Sequence, residues 1–418
     1  ISDAHVGDTT AADFNGMYYF LSTEGKLYRF GYNGYKQLGD GTATNNYFNR
    51  EMPMSLFGNE KIIYMTGSGY YYNSMFAITE TGKVWAWGRN ADGQLGIGNT
   101  TDQGNPVEVT AVSGSELENK KVVHIFTSQG DDDVGKTWFL TDEGKVYFAG
   151  QRRTNGIYVG SYHTSGANAT TPTVLTNSST LWNSDNQKVI YMAITGAERH
   201  TIYFITDGGT TGHSQKVYAT GSNSYGRYGG KVTTTHGATA SSQGNWFGAE
   251  IKFRDFGFFH QSQANNNRVG ESDDMTLDSL QTGSNKTKFK IGRIVEIIPF
   301  SYHNEDYGNV TLIDEYGSLF IAGYWNYIPM QNYEDDSENN FTSTNKFVTS
   351  FVPVYGQPEP VLRGGWTHLG STYTENGWML LGRSGQLYTG GYNGWNQAGL
   401  PSSLHGFFDQ TWAIGGAN

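Results

Sequence analysis

The chain has 418 residues, 56 of them Gly, with 15% aromatic and only 16% charged residues, no cysteine and a formal net charge of -11. Zero cysteines exclude disulfide staples, zinc-thiolate sites and cysteine nucleophiles together. The acidic balance, without any long Lys/Arg-rich run, argues against nucleic-acid binding through phosphate neutralisation, and no apolar run reaches the roughly 18 residues that would insert into a membrane.

Along the chain one unit recurs: GKLYRFGYNGYKQLGDG from Gly25, GKVWAWGRNADGQLGIG from Gly82, GKVYFAGQRRTNGIYVG from Gly144, QKVYATGSNSYGRYGG from Gln215, GSLFIAGYWNYI from Gly317 and GQLYTGGYNGWNQAGL from Gly385. Upstream of the copies lies a second recurring piece, KIIYMTGSGYYYNSMFAIT from Lys61, KVVHIF and TWFLT between Lys121 and Thr141, KVIYMAITGAERHTIYFIT from Lys188, and RIVEIIPF with NVTLID between Arg293 and Asp314. Short β-branched and aromatic runs bounded by Gly, Asn, Ser and Asp predict strands and turns. Each unit therefore supplies three or four antiparallel strands. A sheet this small cannot bury both faces alone, so neighbours must stack, and closing the stack into a ring protects the edges. The expected architecture is all-β, a β-propeller in a single domain over residues 1–418.

Each third strand closes on a glycine: Gly31, Gly88, Gly150, Gly221, Gly323 and Gly391. The interval from Gly221 to Gly323 is about twice the shortest of the others, which predicts a degenerate unit there and seven blades, with six as the fallback. In the turn after the third strand, Gly88, Gly93, Gly96 and Gly98 suit a tight reversal, and Leu38 and Leu95 are expected to plug apolar surface between blades. GFFDQTWAIGG, 406–416, reads as a strand that joins the blade built from Met17 to Gly31.

At these residues the chain resembles the regulator of chromosome condensation repeat family, whose unit runs roughly G-x-V-Y-x-W-G-x-N-x-x-G-Q-L-G-x-G. The copy from Gly82 matches almost throughout. GAERHT at Gly196 and GWTH at Gly365 are similar to the family's other signature, a glycine followed by His and a small hydroxylated residue. The copies from Gly144 and Gln215 lose the Gln-Leu, and the one from Gly317 lacks the glycine turn. The resemblance implies a propeller that binds partners through one face, as exchange factors, enzyme inhibitors and ligase docking domains of the family do. A plant ultraviolet photoreceptor in this family uses clustered Trp, but its repeated Gly-Trp-Arg-His-Thr run is absent here, so Trp85, Trp87, Trp138 and Trp378 are read as packing residues.

Chemistry is sparse. Gly130 to Thr137 reads GDDDVGKT, a formal phosphate-loop match, yet strand and turn patterns follow it where a helix must begin, and Asp131, Asp132 and Asp133 repel a phosphate. His200, His303 and His368 are expected to share one repeated structural position; with His124 they lie in different blades and make no metal site. Asp273, Asp274 and the acids at 334–336 lack calcium-loop spacing. No cofactor, metal or catalytic residue is expected.

Function is expected in the departures from the repeat, because rigid scaffolds present variable connections. Insertions are predicted at about 162–186, 231–290 and 329–345, and the candidate partner-binding residues in them are Trp246, Phe247, Phe258, Phe259, Tyr333 and Phe341. The stretch Asn245 to Phe259 reads either as the core of the degenerate blade or as an exposed aromatic surface. Composition suggests a non-catalytic binding module on an extracellular or virion surface, of phage-tail or adhesin type, contacting a protein or a glycan as part of a larger assembly. Opening on Ile1, the chain reads as a processed product or an excised segment. Two alternatives stand beside this reading: an intracellular regulator of guanine-nucleotide exchange type, and a secreted carbohydrate-active enzyme.

Overall fold

A computed structural model describes residues 3–6, 16–68, 73–127, 135–151, 167–175, 187–195, 201–208, 215–221, 249–253, 259–260, 275–281, 283, 289–301, 308–325, 346–354, 357–368 and 376–391. The chain divides into two compact units, residues 1–154 with 163–176 and residues 155–162 with 177–418.

In the first unit three four-stranded antiparallel sheets follow one another. They are β1 (Asp3–Val6), β2 (Met17–Leu21), β3 (Leu27–Gly31) and β4 (Asn46–Glu51); β5 (Ile62–Gly67), β6 (Ser74–Thr79), β7 (Val84–Gly88) and β8 (Gln103–Glu108); and β9 (Val122–Thr127), β10 (Lys136–Thr141), β11 (Val146–Gly150) and β12 (Ala169–Val174). Each is an up-and-down meander, in chain order. In the first sheet β1 pairs with β2, Asp3 opposite Leu21; residues 406–416, expected to join this blade, lie outside the described ones.

The second unit carries β13 (Val189–Thr195), β14 (Thr201–Thr206), β15 (Val217–Gly221) and β16 (Ala249–Glu250) in one sheet. A second sheet joins β17 (Phe259–His260), β18 (Ile294–Ser301), β19 (Gly308–Asp314), β20 (Leu319–Trp325) and β21 (Lys346–Pro353), and a third joins β22 (Val361–His368), β23 (Asn376–Gly382) and β24 (Leu387–Gly391). A short helix, α1 (Leu277–Gln281), packs Leu277 and Leu280 into the core.

Six sheets are thus seen among the described residues. Within the interval where a seventh is expected, β16 extends β15 and β17 extends β21, while Phe253 bridges Met275 and Phe351. Ile251 and Phe253 are buried in the core around Phe320 and Phe351. Residues 222–248, 254–258 and 261–274 lie outside the described ones.

Two backbone devices explain the recurring glycines. Gly88 has φ +95°, and a Cβ there would stand 2.2 Å from the Asn73 carbonyl oxygen; Gly150 has φ +112° with the Gly135 oxygen 2.1 Å away. Only glycine closes the third strand this tightly. Second, the hairpin glycine between strands two and three accepts a hydrogen bond from the first strand of the next sheet: Ile62 N–H to Gly25 O at 3.2 Å, Val122 to Gly82 at 2.9 Å, Val361 to Gly317 at 2.9 Å. At the fourth copy Gln215 replaces that glycine. Its side chain does the joining instead, accepting from Ile294 N–H at 2.7 Å and donating to Ile294 O at 2.9 Å.

After the third strand, an asparagine organises the turn. Asn90 Oδ1 accepts from Leu95 N–H at 3.0 Å while its Nδ2 donates to the carbonyls of Asn99 and Thr101 at 2.9 and 3.3 Å. Asn33 repeats this with Leu38 N–H at 2.8 Å and the carbonyls of Thr42 and Thr44 at 3.1 and 3.2 Å. Leu38 and Leu95 are thereby driven, fully buried, into the cores between adjacent sheets. Trp87, Trp138 and Trp378 are buried in strands as expected, and Trp85 is half-buried. Lys136 and Thr137 of the phosphate-loop lookalike begin strand β10 and are buried.

Candidate functional site

Of the aromatic candidates, Trp246, Phe247, Phe258, Tyr333 and Phe341 lie outside the described residues, as do His200 and His303. Phe259 is placed by its backbone in β17, opposite Phe347. His368 ends β22.

What the structure brings together is a row that spacing alone does not announce. In each unit the first strands of successive sheets are neighbours: β5 packs beside β9, β13 beside β18, and β18 beside β22. All five of these strands carry a β-bulge near their start. Ile62 pairs with Thr79 but Tyr64 with Ile78, so Ile63 is extra; Val123, Ile190, Val295 and Leu362 are extra in the same way. Bulges add one unpaired residue and re-aim the side chains around it.

At Tyr64, Tyr191 and Glu296 the residue after the bulge reaches sideways to the next first strand. Tyr64 donates its hydroxyl to Ile125 O at 3.2 Å, and its ring lies 4.6 Å from that of His124, which stacks on Phe126 at 4.2 Å. In the second unit Tyr191 meets the backbone of Ile297 and Glu296 meets the backbone of Gly364. One register position, filled by Tyr64, His124, Tyr191, Glu296 and Arg363, thus clasps sheet to sheet.

Burial governs its titration. It pushes the Tyr191 phenol up to about 12, helped by the Glu296 charge. It raises the Glu296 carboxyl against the opposing Arg363 charge and the Gly364 N–H, and it lowers the His124 imidazole against a bond to the Ile125 carbonyl. No nucleophile stands beside a base in this row, and no group of three His, Asp or Glu able to hold a metal occurs among the described residues. These side chains fasten the scaffold.

The bulge residues point outward. Ile63, Val123, Ile190, Val295 and Leu362 are 59, 51, 46, 51 and 52% exposed. Beside four of them, two residues earlier, stands an exposed cation: Lys61, Lys121, Lys188 or Arg293. Apolar display at five equivalent positions is the strongest contact feature of the described residues. It could have been read from KII, KVV, KVI and RIV, where two successive aliphatics break the alternation of a half-buried strand.

Comparison with known proteins identifies the repeat. Residues 81–130 and 64–94 match the regulator of chromosome condensation (RCC1) repeat. The chain is 33% identical over 119 residues, 28% of its length, to the Ultraviolet-B receptor UVR8 of Arabidopsis thaliana, covering 25% of that protein. It is 26% identical over 227 residues, 54% of its length, to the Probable E3 ubiquitin-protein ligase HERC4 of Homo sapiens, covering 18% of it. The matched segments thus span a quarter or less of either relative. Among solved structures it is similar to a chain in the crystal structure of Kap60 bound to yeast RCC1 (Prp20), with TM-score 0.57 at 14% identity over 92% of this chain and 70% of that one. No helix among the described residues is long and apolar enough to cross a membrane. Residues 64–130 match the RCC1 repeat, and the chain resembles that repeat family and has the all-β fold of its propellers.

Proposed function

We propose that this chain is a protein-binding propeller of the regulator kind, without catalysis of its own. The observation that carries this reading is the combination of RCC1 repeats with first strands that clasp one another while presenting aliphatic residues and cations outward. A rigid scaffold with an outward contact row is suited to holding a partner. The similar chain from yeast comes from a structure of RCC1 bound to another protein, Kap60, which supports a protein rather than a glycan as the partner. Relatives that include a receptor and a ligase favour the regulator over the virion or adhesin reading suggested by composition. Ligase activity belongs to a protein of which the match covers 18%, so it is not carried over.

The test is reconstitution. Proximity labelling in the source cells names candidate partners, and each is then purified and titrated against the full chain by calorimetry. A saturable complex supports the reading. Release of reducing sugar from polysaccharides, or binding to glycan arrays with no protein complex, overturns it. Nucleotide-release assays with small GTPases separate an exchange factor from a docking regulator.

A further inference from the structure

We propose that the row of bulge residues Ile190, Val295 and Leu362 in the second unit, with Lys188 and Arg293, docks an acidic segment of a partner protein that carries aliphatic or aromatic side chains. This rests on the protein-binding reading above and names the surface and the chemistry. The first unit displays the same pattern with Ile63 and Val123 beside Lys61 and Lys121.

Nine large hydrophobic residues are exposed among the described residues, and five of them occupy this single register position. Scattered exposed aliphatics are ordinary, but a contiguous set marks a contact surface. Contiguity follows from topology: β13, β18 and β22 are consecutive neighbours, and the three bulges fall at the same step of each strand. Edge protection explains a bulge and a lysine on an outer strand. It gives no reason for an aliphatic side chain at the outward position, where any polar residue serves as well.

The charges select the partner. Lys188 and Arg293 are exposed with no ion-pair partner among the described residues. The nearby acids Asp207 and Glu315 turn to the backbone, accepting from Lys188 N–H at 2.9 Å and Arg293 N–H at 3.0 Å. Arg363 faces Glu296, whose carboxylate is half-buried. Uncommitted cations on a chain of net charge -11 attract an acidic segment locally, and the aliphatics between them require apolar side chains on it. A phosphate backbone satisfies the first demand only.

Selection of peptides from a random display library by the purified full chain tests this. We expect enrichment of sequences mixing Asp or Glu with Leu, Ile or Phe. A synthetic copy of the best peptide, followed by fluorescence polarisation, should lose about tenfold or more in affinity with Val295→Ser or Ile190→Ser. Lys188→Gln with Arg293→Gln should weaken binding and flatten its salt dependence. Tyr47→Ser with Phe48→Ser, exposed on β4 at 71 and 74%, should change nothing, and melting temperatures should match throughout, showing that every variant folds. The proposal is overturned by basic or purely polar peptides, by no enrichment, by DNA or RNA binding through the same cations, or by indifference to Val295→Ser. A reconstituted partner complex that forms undiminished with the Val295→Ser chain removes this surface and leaves the binding function standing.

Discussion

Trp87 on β7 donates its indole N–H to the main-chain carbonyl of Gln37, 2.9 Å away in the turn of the preceding sheet. Tyr19 donates its hydroxyl to that same carbonyl at 2.5 Å, and the indole also lies 3.0 Å from the Tyr19 oxygen. All three groups are buried, so this triangle is both packing and polar satisfaction. Trp87→Phe keeps most of the apolar bulk and loses the donor, which predicts a loss of about 2 kcal/mol; Trp87→Ala predicts about 4 kcal/mol. Urea unfolding of the three proteins checks both values, and equal midpoints for wild type and Trp87→Phe would refute the first.

Arg29 is the opposite case. It stands on β3 across from Tyr19, where the corresponding residues of the next two sheets are Ala86 and Phe148, two residues before the closing glycine. Its Nε and Nη1 atoms are buried without a hydrogen-bond partner. Burial holds the guanidinium below its usual pKa, against the influence of Tyr19 and Asp40. Replacement by an apolar side chain of similar length removes this desolvation, so Arg29→Met should raise stability by about 1 kcal/mol. A thermal scan reading a lower transition for Arg29→Met would contradict the argument.

Glu60 gives a pH signature. Burial opposes its ionisation, but hydrogen bonds from Lys83, Thr79 and Thr81 prevail and bring its carboxyl down to about 2; the Lys83 ammonium lies at 2.7 Å. A depressed carboxyl pKa contributes stability above its unfolded value, near 4.5, and loses it as pH falls through about 2. Glu60→Gln should therefore be less stable than wild type at pH 7 and at pH 5, with the difference shrinking below pH 4.5. Paired unfolding curves across this range decide it: a gap that widens towards acid has the wrong sign.

Gln215 holds both main-chain polar groups of Ile294 with one amide. Gln215→Ala leaves a buried N–H and a buried carbonyl unpartnered, which predicts a loss of about 2 to 3 kcal/mol. Hydrogen exchange gives the sharper reading, because the Ile294 amide should lose protection while that of Val122, bonded to Gly82, keeps its own.

Second and third strands were readable because they are apolar, glycine-closed and repeated, as TWFLT and GKVYFAG became β10 and β11. Fourth strands were not: β4, NYFNRE, is exposed along nearly its whole length and has no alternation to detect. Turn glycines were read correctly as tight reversals, and Asn33 and Asn90 stand at the fixed Asn of the repeat, but their role in binding each turn together was not legible because it depends on carbonyls nine and eleven residues further on that only the folded turn brings near. The contact row was hidden by its own bulges, since one added residue puts two aliphatics side by side and imitates a fully buried strand. The aromatic candidates of the insertions were inferred from composition alone, without a repeat to fix their register.

The joints between sheets differ in kind. Where a hairpin glycine offers its carbonyl to the following strand, any sheet of this chain presents the same acceptor and the same donor, so such seams are interchangeable and permit duplication or exchange of whole repeats. The seam closed by Gln215 is keyed: a transplanted sheet with glycine in its place offers the Ile294 N–H an acceptor but has no donor for the Ile294 carbonyl. Shuffled versions of the chain should therefore tolerate swaps at Gly25 and Gly82 and fail at this one junction.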